Sequence, residues 1–390
     1  MSHALPAHGR ESRAGPAHGR ESLAVPAYGR ESLAELGPSV LAALGVPGEA
    51  NVLGLPSLPR ACLLLIDGLG WELLRAHAGA APFLSSLAGR PLTAGFPATT
   101  ATSLASLGTG RPPGGHGMFG YQVAVPGEGR LLNCLRWSDG IDPLTWQPAT
   151  TIFDRAVAAG VSTAHVSARA FENSGLTRAV YRGARYLPAD ALGPLVAHAE
   201  HAVREGERAF VTVYHGDLDA TGHVHGSRSA AWRHHLTFVD LLARRLAEVM
   251  PPDAALYITA DHGMTDPAGR IDVDAEPDMR AGVALLGGEA RARHVYAEPG
   301  AAGDVLAAWR ERLEGQAWVL TREEAIADGL FGPVAASLAP RIGDVVAVPY
   351  ADVAIVATRA EPIESTLVGM HGSLVAAEQL VPLLSPGEAR

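Results

Sequence analysis

The 390-residue sequence predicts an α/β protein with a doubly wound, mostly parallel central sheet and helices on both faces. Hydrophobic residues make up 47% of the chain, enough to fill a substantial core. Continuous apolar runs favour strands that are buried on both faces. Helical patterns separate these runs, the longest at 229–250. The predicted strands are 61–66, 163–168, 209–214 and 254–260.

The N-terminal segment differs from the rest of the chain. Three near-copies of one decapeptide begin at Pro6, Pro16 and Pro26: PAHGRESRAG, PAHGRESLAV and PAYGRESLAE. A period this short and polar, with Pro and Gly in every copy, cannot build a packed repeat. We therefore predict a disordered tail over residues 1–32 and one large domain over 33–390. Within that domain, segments 110–150 and 264–360 are expected to supply inserted loops or a small cap.

Composition excludes several classes of protein. The formal net charge is -10, and every fixed basic side chain is Arg because the chain has no Lys, so binding to a nucleic acid polymer is disfavoured. No apolar run reaches the roughly twenty residues that span a bilayer, and no signal segment is recognisable, so we expect a cytoplasmic protein without membrane contact. Cys62 and Cys134 follow no metal or disulfide spacing and are expected to be free thiols. No feature indicates an oligomeric state.

Acidic residues follow three of the predicted strands. Asp67 comes directly after the first, Asp217 and Asp219 follow the third, and Asp261 follows the fourth. One such residue could simply cap the next helix. Three parallel strands that each end in a carboxylate, at the edge of the sheet where functional groups gather, indicate a common site.

Imidazoles accompany these carboxylates. In DATGHVHG, Asp219 and His223 lie four residues apart with Gly before the His, so we expect both to turn toward one point from a loop. The full set has three carboxylates and three imidazoles, enough for two divalent cations, with Zn²⁺ favoured first and Mn²⁺ second. Enzymes commonly use two cations about 4 Å apart for in-line displacement at phosphorus. The candidate ligands are Asp67, Asp219, His223, Asp261, His262 and His371.

The other histidines near these motifs fall outside their spacing. His215 and His225 flank DATGHVHG, His234 and His235 lie on the long predicted helix, and His116 follows a Gly-rich turn. Histidine is often a hydrogen-bonded structural residue, so we expect structural or surface roles for these five.

A hydroxyl-rich segment, GFPATTATSLASLGTG, precedes the strand-end motifs along the chain. The run TATSLASL predicts a short helix that ends at Gly108. A hydroxyl at its start would sit beside free backbone N–H groups at the positive end of the helix dipole, which favours an alkoxide and an attached phosphate. Taken alone, such a Thr is more simply an N-cap. The nearby metal set favours a nucleophile.

The ordered motifs resemble those of the alkaline phosphatase superfamily, in the branch of type I phosphodiesterases and nucleotide pyrophosphatases. They are Ile66-Asp67-Gly68, Thr100 followed by TGRPPGGHGM, then DATGHVHG, DHGM and GMHG, and the similarity covers roughly residues 60–375. The resemblance implies an alkaline-phosphatase-like fold.

The resemblance also implies a role for each matched residue. Asp67, Asp261 and His262 would hold one Zn²⁺ together with Thr100. Asp219, His223 and His371 would hold the other. Thr100 would be the nucleophile that becomes phosphorylated before water releases the product, with Thr99 the alternative if the turn differs by one residue. Ser103 stands where the family usually has Asn, and it would donate one hydrogen bond to the substrate.

The expected activity is hydrolysis of a small phosphodiester, with a nucleotide as one candidate substrate. The alternatives on the same core are a phosphomonoesterase and a phosphonate hydrolase. A non-catalytic metal-binding protein is disfavoured because all six expected ligands and the Thr are present. Phe119, Tyr121 and Trp137 are candidates for contact with a nucleobase through their place in the sequence.

Overall fold

A computed structural model of the protein describes residues 23–137 and 140–386. Over those residues the chain forms fifteen strands: β1 Arg60–Ile66, β2 Ala88–Thr93, β3 Gln122–Val125, β4 Arg130–Asn133, β5 Ser162–Ser167, β6 Arg185–Pro188, β7 Ala209–His215, β8 Ala254–Thr259, β9 Gly269–Asp272, β10 Val283–Glu289, β11 Ala292–Ala297, β12 Ala317–Thr321, β13 Val345–Pro349, β14 Val353–Val356 and β15 Leu380–Ser385.

The same described residues form fifteen α-helices: α1 Leu33–Ala43, α2 Trp71–Ala76, α3 Pro82–Ser86, α4 Thr100–Thr109, α5 Pro113–His116, α6 Pro143–Trp146, α7 Ile152–Ala158, α8 Gly175–Val180, α9 Leu192–Val203, α10 Asp217–His225, α11 Ala230–Val249, α12 Pro277–Arg280, α13 Ala302–Arg312, α14 Arg322–Ala327 and α15 Ala376–Gln379. Short 3-10 turns lie at Ala78–Ala80, Arg169–Phe171, Val273–Ala275, Ala339–Arg341 and Glu364–Thr366.

Seven strands form the central sheet, in the order β2-β15-β8-β1-β7-β5-β6. The strands from β8 to β6 are parallel, and β15 runs antiparallel to both of its neighbours. At the centre, Cys62 of β1 lies opposite Val211 of β7 on one side and Leu256 of β8 on the other. The apolar runs become strands because each is buried on both faces, and the predicted α/β fold class is confirmed.

Two groups of helices pack on this sheet. Helices α9 and α11 contact β7, β5 and β8, whereas α1, α4, α7 and α8 contact one another and reach β5 through α7. The predicted helix 229–250 is α11, whose first turn is capped by the Ser229 side chain accepting from the Trp232 amide. Its buried residues Trp232, Leu236 and Val239 recur at helical spacing and face the core.

A second sheet forms the expected cap. Four antiparallel strands in the order β10-β11-β13-β12 lie within the segment 264–360. Helix α13 packs on this sheet, and Val295, Trp309 and Val345 lie in their shared core. The segment 110–150 contributes the hairpin of β3 and β4.

The N-terminal repeat divides between the described residues and those outside them. The tail prediction for residues 1–22 lies outside the described residues. Residues 23–32 pack against the domain, so packing begins before the predicted boundary at residue 32. The Tyr28 hydroxyl donates to the Leu330 carbonyl and accepts from the Phe96 amide, both at 3.0 Å. Ser32 then caps α1 through a capping box with Glu35.

None of the helices in the described residues combines the length and the apolar character that crossing a membrane requires.

Candidate active site

The carboxyl ends of three neighbouring strands carry the predicted carboxylates. Asp67 follows β1, Asp219 lies in α10 just after β7, and Asp261 follows β8. Because β7, β1 and β8 are adjacent in the sheet, these ends lie side by side. Asp67 and Asp261 are buried, and Asp219 is half-buried.

One group of ligand atoms comes from Asp67, Asp261 and His262, which lie within 4.8 Å of one another. His262 Nε2 is 3.3 Å from Asp67 Oδ1 and 3.6 Å from Asp261 Oδ2. His262 Nδ1 lies 2.9 Å from the Gly263 carbonyl, which can only accept, so Nδ1 carries the proton. The Nε2 lone pair therefore faces the two carboxylates, as a metal ligand requires.

A second group consists of Asp219, His223 and His371, again within 4.8 Å of one another. His223 Nε2 is 3.2 Å from Asp219 Oδ2, and His371 Nε2 is 4.0 Å from Asp219 Oδ1. Both imidazoles donate from Nδ1 to a backbone carbonyl at 2.8 Å, His223 to Gly369 and His371 to Ala98. As in the first group, each Nδ1 is occupied by a carbonyl, so Nε2 is the nitrogen that would act as a metal ligand.

The local structure of DATGHVHG differs from the expected loop. Residues 217–225 form helix α10, so Asp219 and His223 lie on one face at i, i+4 spacing. Gly222 is needed for packing and not for a turn, because a Cβ there would lie 2.4 Å from Met264 Sδ. The loop prediction was wrong because Gly was interpreted as a turn residue.

The two groups adjoin. The rings of His262 and His371 stack with centroids 3.6 Å apart. The structure thus brings together all six residues that the sequence analysis gives as candidate metal ligands. Within the described part of the chain, Asp67 Oδ1, Asp219 Oδ1 and Asp261 Oδ2 are buried without a hydrogen-bond partner. Buried carboxylate oxygens without partners, facing imidazole lone pairs, are a donor set that fits divalent cations.

The charges of the site are strongly coupled. Burial, reinforced by Asp261 and Asp219, raises the pKa of the Asp67 carboxyl well above its usual range. Burial also opposes ionisation of Asp219, but His223 and then His371 outweigh it and hold the pKa of Asp219 well below its usual range. Burial disfavours protonated His223, yet Asp219 raises its pKa to about 9. The site therefore concentrates negative charge that positive partners stabilise.

Thr100 lies at the junction of the two groups. It is the first residue of α4, and its Oγ1 is 3.3 Å from His262 Nε2. The preceding residue, Thr99, is the N-cap but makes no side-chain capping bond, which leaves amide groups of the first turn for an anion. The helix continues past the expected end at Gly108 to Thr109, and its C-cap residue Gly110 adopts the left-handed conformation.

The structure also locates Ser103, which was expected to contact the substrate, and His116, which was expected to have a structural role. Ser103 is fully buried in α4, lines neither cleft of the site and has an Oγ without a hydrogen-bond partner among the described residues, so its hydrogen bond to substrate stays a prediction. His116 is buried and accepts from the Met118 amide at Nδ1, with Nε2 3.0 Å from Ser106 Oγ. This histidine holds the turn after α5 together, which agrees with its expected structural role.

Two clefts open beside Thr100. The larger has a volume of about 690 Å³ and includes Phe171, Tyr214 and Phe238 among its lining residues. The smaller, about 230 Å³, is lined by Tyr121 and Glu289 among others. Thr100 lines both clefts, whereas Thr99 lines only the smaller.

The expected aromatic contacts are only partly supported. Tyr121 lines the smaller cleft, but Phe119 is fully buried in the core and Trp137 lines neither cleft. Sequence proximity failed here because most residues that line the larger cleft lie between 165 and 238, and only the fold brings them to Thr100. No Arg is among the described residues that line either cleft.

Sequence reasoning also missed two residues of the site. The Tyr214 hydroxyl donates to Asp67 Oδ2. Glu289, at the end of β10, lies with Oε2 3.8 Å from His371 Nδ1, and burial raises the pKa of its carboxyl to about 8. The position of Tyr214 before a strand-end His was a weak signal for the first. Glu289 lies in the cap, and no motif marks it.

Comparison with known proteins places the chain in a family. Residues 61–374 match the family model of type I phosphodiesterase / nucleotide pyrophosphatase. The chain belongs to this family. Membership of this family supports a phosphodiesterase or nucleotide pyrophosphatase core, and the two ligand groups could hold divalent metal ions. No curated protein sequence matches the chain.

Solved structures resemble this family member in fold. Murine ectonucleotide pyrophosphatase/phosphodiesterase 5, an inactive form in complex with AMP, has a TM-score of 0.67 at 19% identity, covering 85% of this chain and 88% of that one. The human counterpart has a TM-score of 0.66 at 19% identity, covering 84% and 88%. Phosphonoacetate hydrolase from Sinorhizobium meliloti, in complex with phosphonoformate, has a TM-score of 0.62 at 22% identity, covering 84% and 89%.

Proposed function

We propose that this protein is a two-metal phosphodiesterase that cleaves small phosphodiesters through a covalent intermediate on Thr100. The observation that carries the proposal is the position of the Thr100 hydroxyl. It lies 3.3 Å from His262 Nε2, at the start of a helix, and Thr100 lines both clefts. A phosphorus atom in line with this hydroxyl would have its oxygens near both ligand groups and near the helix amides.

The two groups of side chains would each hold one cation. Asp67, Asp261 and His262 would bind the cation next to the Thr100 hydroxyl, and Asp219, His223 and His371 would bind the other. We propose Zn²⁺ for both, because the donor set combines imidazole and carboxylate without a thiolate. When bound, the cations would lower the pKa of the attacking hydroxyl and stabilise charge on the phosphate oxygens.

The covalent step is a displacement by Thr100. Its Oγ forms a bond to phosphorus while the bond from phosphorus to one ester oxygen breaks, and the departing alcohol carries away the proton. The first amides of α4 point at the developing charge and stabilise it. Water then attacks phosphorus, breaks the Thr–O–P bond, releases a phosphate monoester and restores the hydroxyl.

Charge favours a diester over a monoester. A phosphate monoester carries roughly 1.5 to 2 negative charges at neutral pH, whereas a diester carries one. No Arg lies among the described residues lining the two clefts, and the chain has no Lys. The same lack of a fixed cation disfavours a phosphonate substrate with a second acidic group. A phosphodiester substrate therefore fits the clefts better than the substrate of a phosphomonoesterase or of a phosphonate hydrolase.

The larger cleft favours a planar group on the substrate. Phe171 and Tyr214, whose ring centroids are 5.9 Å apart, line it together with Phe238. Aromatic walls of this kind bind flat, weakly polar groups by stacking and edge contacts. The murine relative of similar fold binds AMP. We therefore propose nucleotide-type diesters as the substrate class.

The test compares bis(p-nitrophenyl) phosphate, p-nitrophenyl phosphate and phosphonoacetate as substrates of the purified protein. Each is assayed after chelation and after Zn²⁺ or Mn²⁺ is restored. We expect metal-dependent turnover with the diester preferred. Preference for the monoester or for phosphonoacetate would overturn the diester assignment, and turnover that survives chelation would overturn the role of the metals.

A further inference from the structure

A third group of potential ligand atoms lies outside the six residues discussed above. It consists of His215, Asp217 and His235, whose ligand atoms all lie within 4.8 Å of one another. All three side chains line the larger cleft, which also contains Thr100 and Asp67. Sequence spacing suggested only structural or surface roles for the two histidines. The fold places them on two different elements with their rings facing one another.

Each residue reaches the group for a clear structural reason. His215 is the last residue of β7, and Asp217 is the first residue of α10. His235 lies in α11, next to the buried residue Leu236, at the edge of the face that packs on the core. Helices α10 and α11 pack together, which brings His235 over the end of β7.

The group is separate from the site around Asp219. Asp217 and Asp219 are two residues apart in α10, so about 200° of helical rotation separates their side chains. Asp219 faces His223 and His371, and Asp217 faces His215 and His235. The burial pattern fits access from solvent, because His215 is buried, His235 is half-buried and Asp217 is exposed.

The distance between the two imidazoles suits a bound metal. His215 Nε2 lies 3.2 Å from His235 Nε2. Two imidazole nitrogens about 2.0–2.1 Å from a tetrahedral Zn²⁺ are roughly 3.3–3.4 Å apart, so the distance between these nitrogens already matches. The ring centroids are 5.5 Å apart and the rings meet through their Nε2 atoms, so each ring would rotate to direct its lone pair at a shared cation. A carboxylate within reach completes a two-His, one-carboxylate set. Three protein ligands leave one position of a tetrahedral ion open.

We propose that His215, Asp217 and His235 bind a further divalent cation, with Zn²⁺ the best match, and that its open position faces the larger cleft. An anionic oxygen of a bound molecule could occupy that position. The proposal concerns the cation itself and does not depend on the reaction proposed for Thr100.

The test counts metal ions in the full-length protein after equilibration with Zn²⁺ and removal of the excess. The wild-type chain is compared with His235→Gln, and the readout is the difference in Zn²⁺ per chain. We expect a loss of one ion, with an affinity change exceeding the 10–100-fold range typical of losing an outer-shell partner. His234→Gln is the matched control, because this neighbouring residue is exposed and outside the group.

Two further variants make the result decisive. Asp217→Asn lies at an exposed position, so it tests the same cation with little risk to folding. Asp219→Asn removes a ligand of a different group, so its loss should add to that of His235→Gln. If His235→Gln and Asp217→Asn both retain the wild-type count, the His215–His235 contact is an ordinary hydrogen bond and the proposal fails. That outcome leaves the proposed phosphodiesterase activity untouched, which the diester assay measures separately.

Discussion

The hydroxyl of Tyr214 donates a hydrogen bond to Oδ2 of Asp67 and thereby fixes the orientation of that carboxylate. Tyr214 lies in β7 and Asp67 follows the neighbouring β1, so the sheet itself supplies the alignment. Burial keeps the pKa of the Tyr214 hydroxyl well above its usual value, and the hydroxyl therefore remains a donor. The other oxygen of Asp67, Oδ1, stays free and points at His262 Nε2, 3.3 Å away.

Replacing Tyr214 with Phe should weaken metal binding at the Asp67 group while keeping the aromatic wall of the cleft. Loss of a partner that orients a ligand typically lowers metal affinity about 10–100-fold. The measurement is Zn²⁺ affinity by competition with a chelating indicator. Tyr186→Phe is the matched control, since the Tyr186 hydroxyl donates to the Ala168 carbonyl and Tyr186 belongs to none of the ligand groups. Equal affinities in both variants would show that the Tyr214 hydroxyl does not position Asp67.

Replacing Thr100 with Ala should abolish turnover of the diester and leave the metal content nearly unchanged. The hydroxyl is the proposed nucleophile, so the loss should exceed about 10³-fold in kcat. Thr99→Ala is the control, because Thr99 lines only the smaller cleft. Mass spectrometry of rapidly quenched enzyme should find the phosphoryl adduct on Thr100. If Thr99→Ala is the inactive variant, the nucleophile lies one residue earlier.

Replacing Asp219 with Asn should remove one metal ion per chain from the wild-type count. Asp219 is the only carboxylate of the group that it forms with His223 and His371. Its Oδ2 faces His223, and its Oδ1 faces His371. Asp190→Asn is the control, since that carboxylate is exposed in the same cleft but belongs to neither group. The counts come from elemental analysis after gel filtration. A full count in Asp219→Asn would remove this residue from the ligand assignment.

Sequence alone could predict the central sheet and the convergence of the six candidate ligands. Both depend on local patterns: uninterrupted apolar runs predict the strands, and parallel strand ends bring Asp67 and Asp261 together wherever those runs pair. The match of α11 to the predicted helix has the same origin, because Ser229 provides a local cap and Trp232 begins a helical stripe.

Features that depend on contacts between distant parts of the chain could not be predicted from the sequence. The glycine in DATGHVHG indicates a turn locally, but the segment is helical, and glycine is required there because Met264 occupies the space beside Gly222. The pairing of His215 with His235 requires the packing of α10 on α11. Glu289 enters the site on a hairpin of the cap, about seventy residues after α10 along the chain. No short-range pattern encodes these contacts.

Two buried histidines should make the metal-free protein less stable in acid. Burial lowers the pKa of His116 to about 3 and that of His294 to about 4. Each Nδ1 accepts a backbone amide, from Met118 and Gly343 respectively, and protonation would break that bond. Because the folded pKa values lie below the unfolded value, the stabilisation is complete above about pH 6.5 and declines as the pH falls toward 4.

At pH 5 the loss should be about 2 kcal/mol for each of these histidines relative to pH 8. The measurement is urea unfolding of the chelated protein at several pH values. His116→Gln or His294→Gln should each reduce the slope of the free energy of unfolding against pH, by an amount that corresponds to about one proton fewer taken up on unfolding. Curves parallel to the wild type for both variants would show that these histidines are not the acid-sensitive groups.

Replacing Tyr28 with Phe should destabilise the domain, although Tyr28 lies in the N-terminal repeat. Its hydroxyl bridges the Leu330 carbonyl and the Phe96 amide, so the change leaves two backbone groups without this partner. The expected loss is about 1–3 kcal/mol in the free energy of unfolding, measured by urea denaturation. The first two copies of the repeat carry His8 and His18 at the equivalent position.

Deleting residues 1–22 should leave stability and activity unchanged, whereas deleting 1–32 should lower stability by at least as much as Tyr28→Phe. An unchanged midpoint after the longer deletion would show that the third copy is dispensable, despite its contacts with the domain.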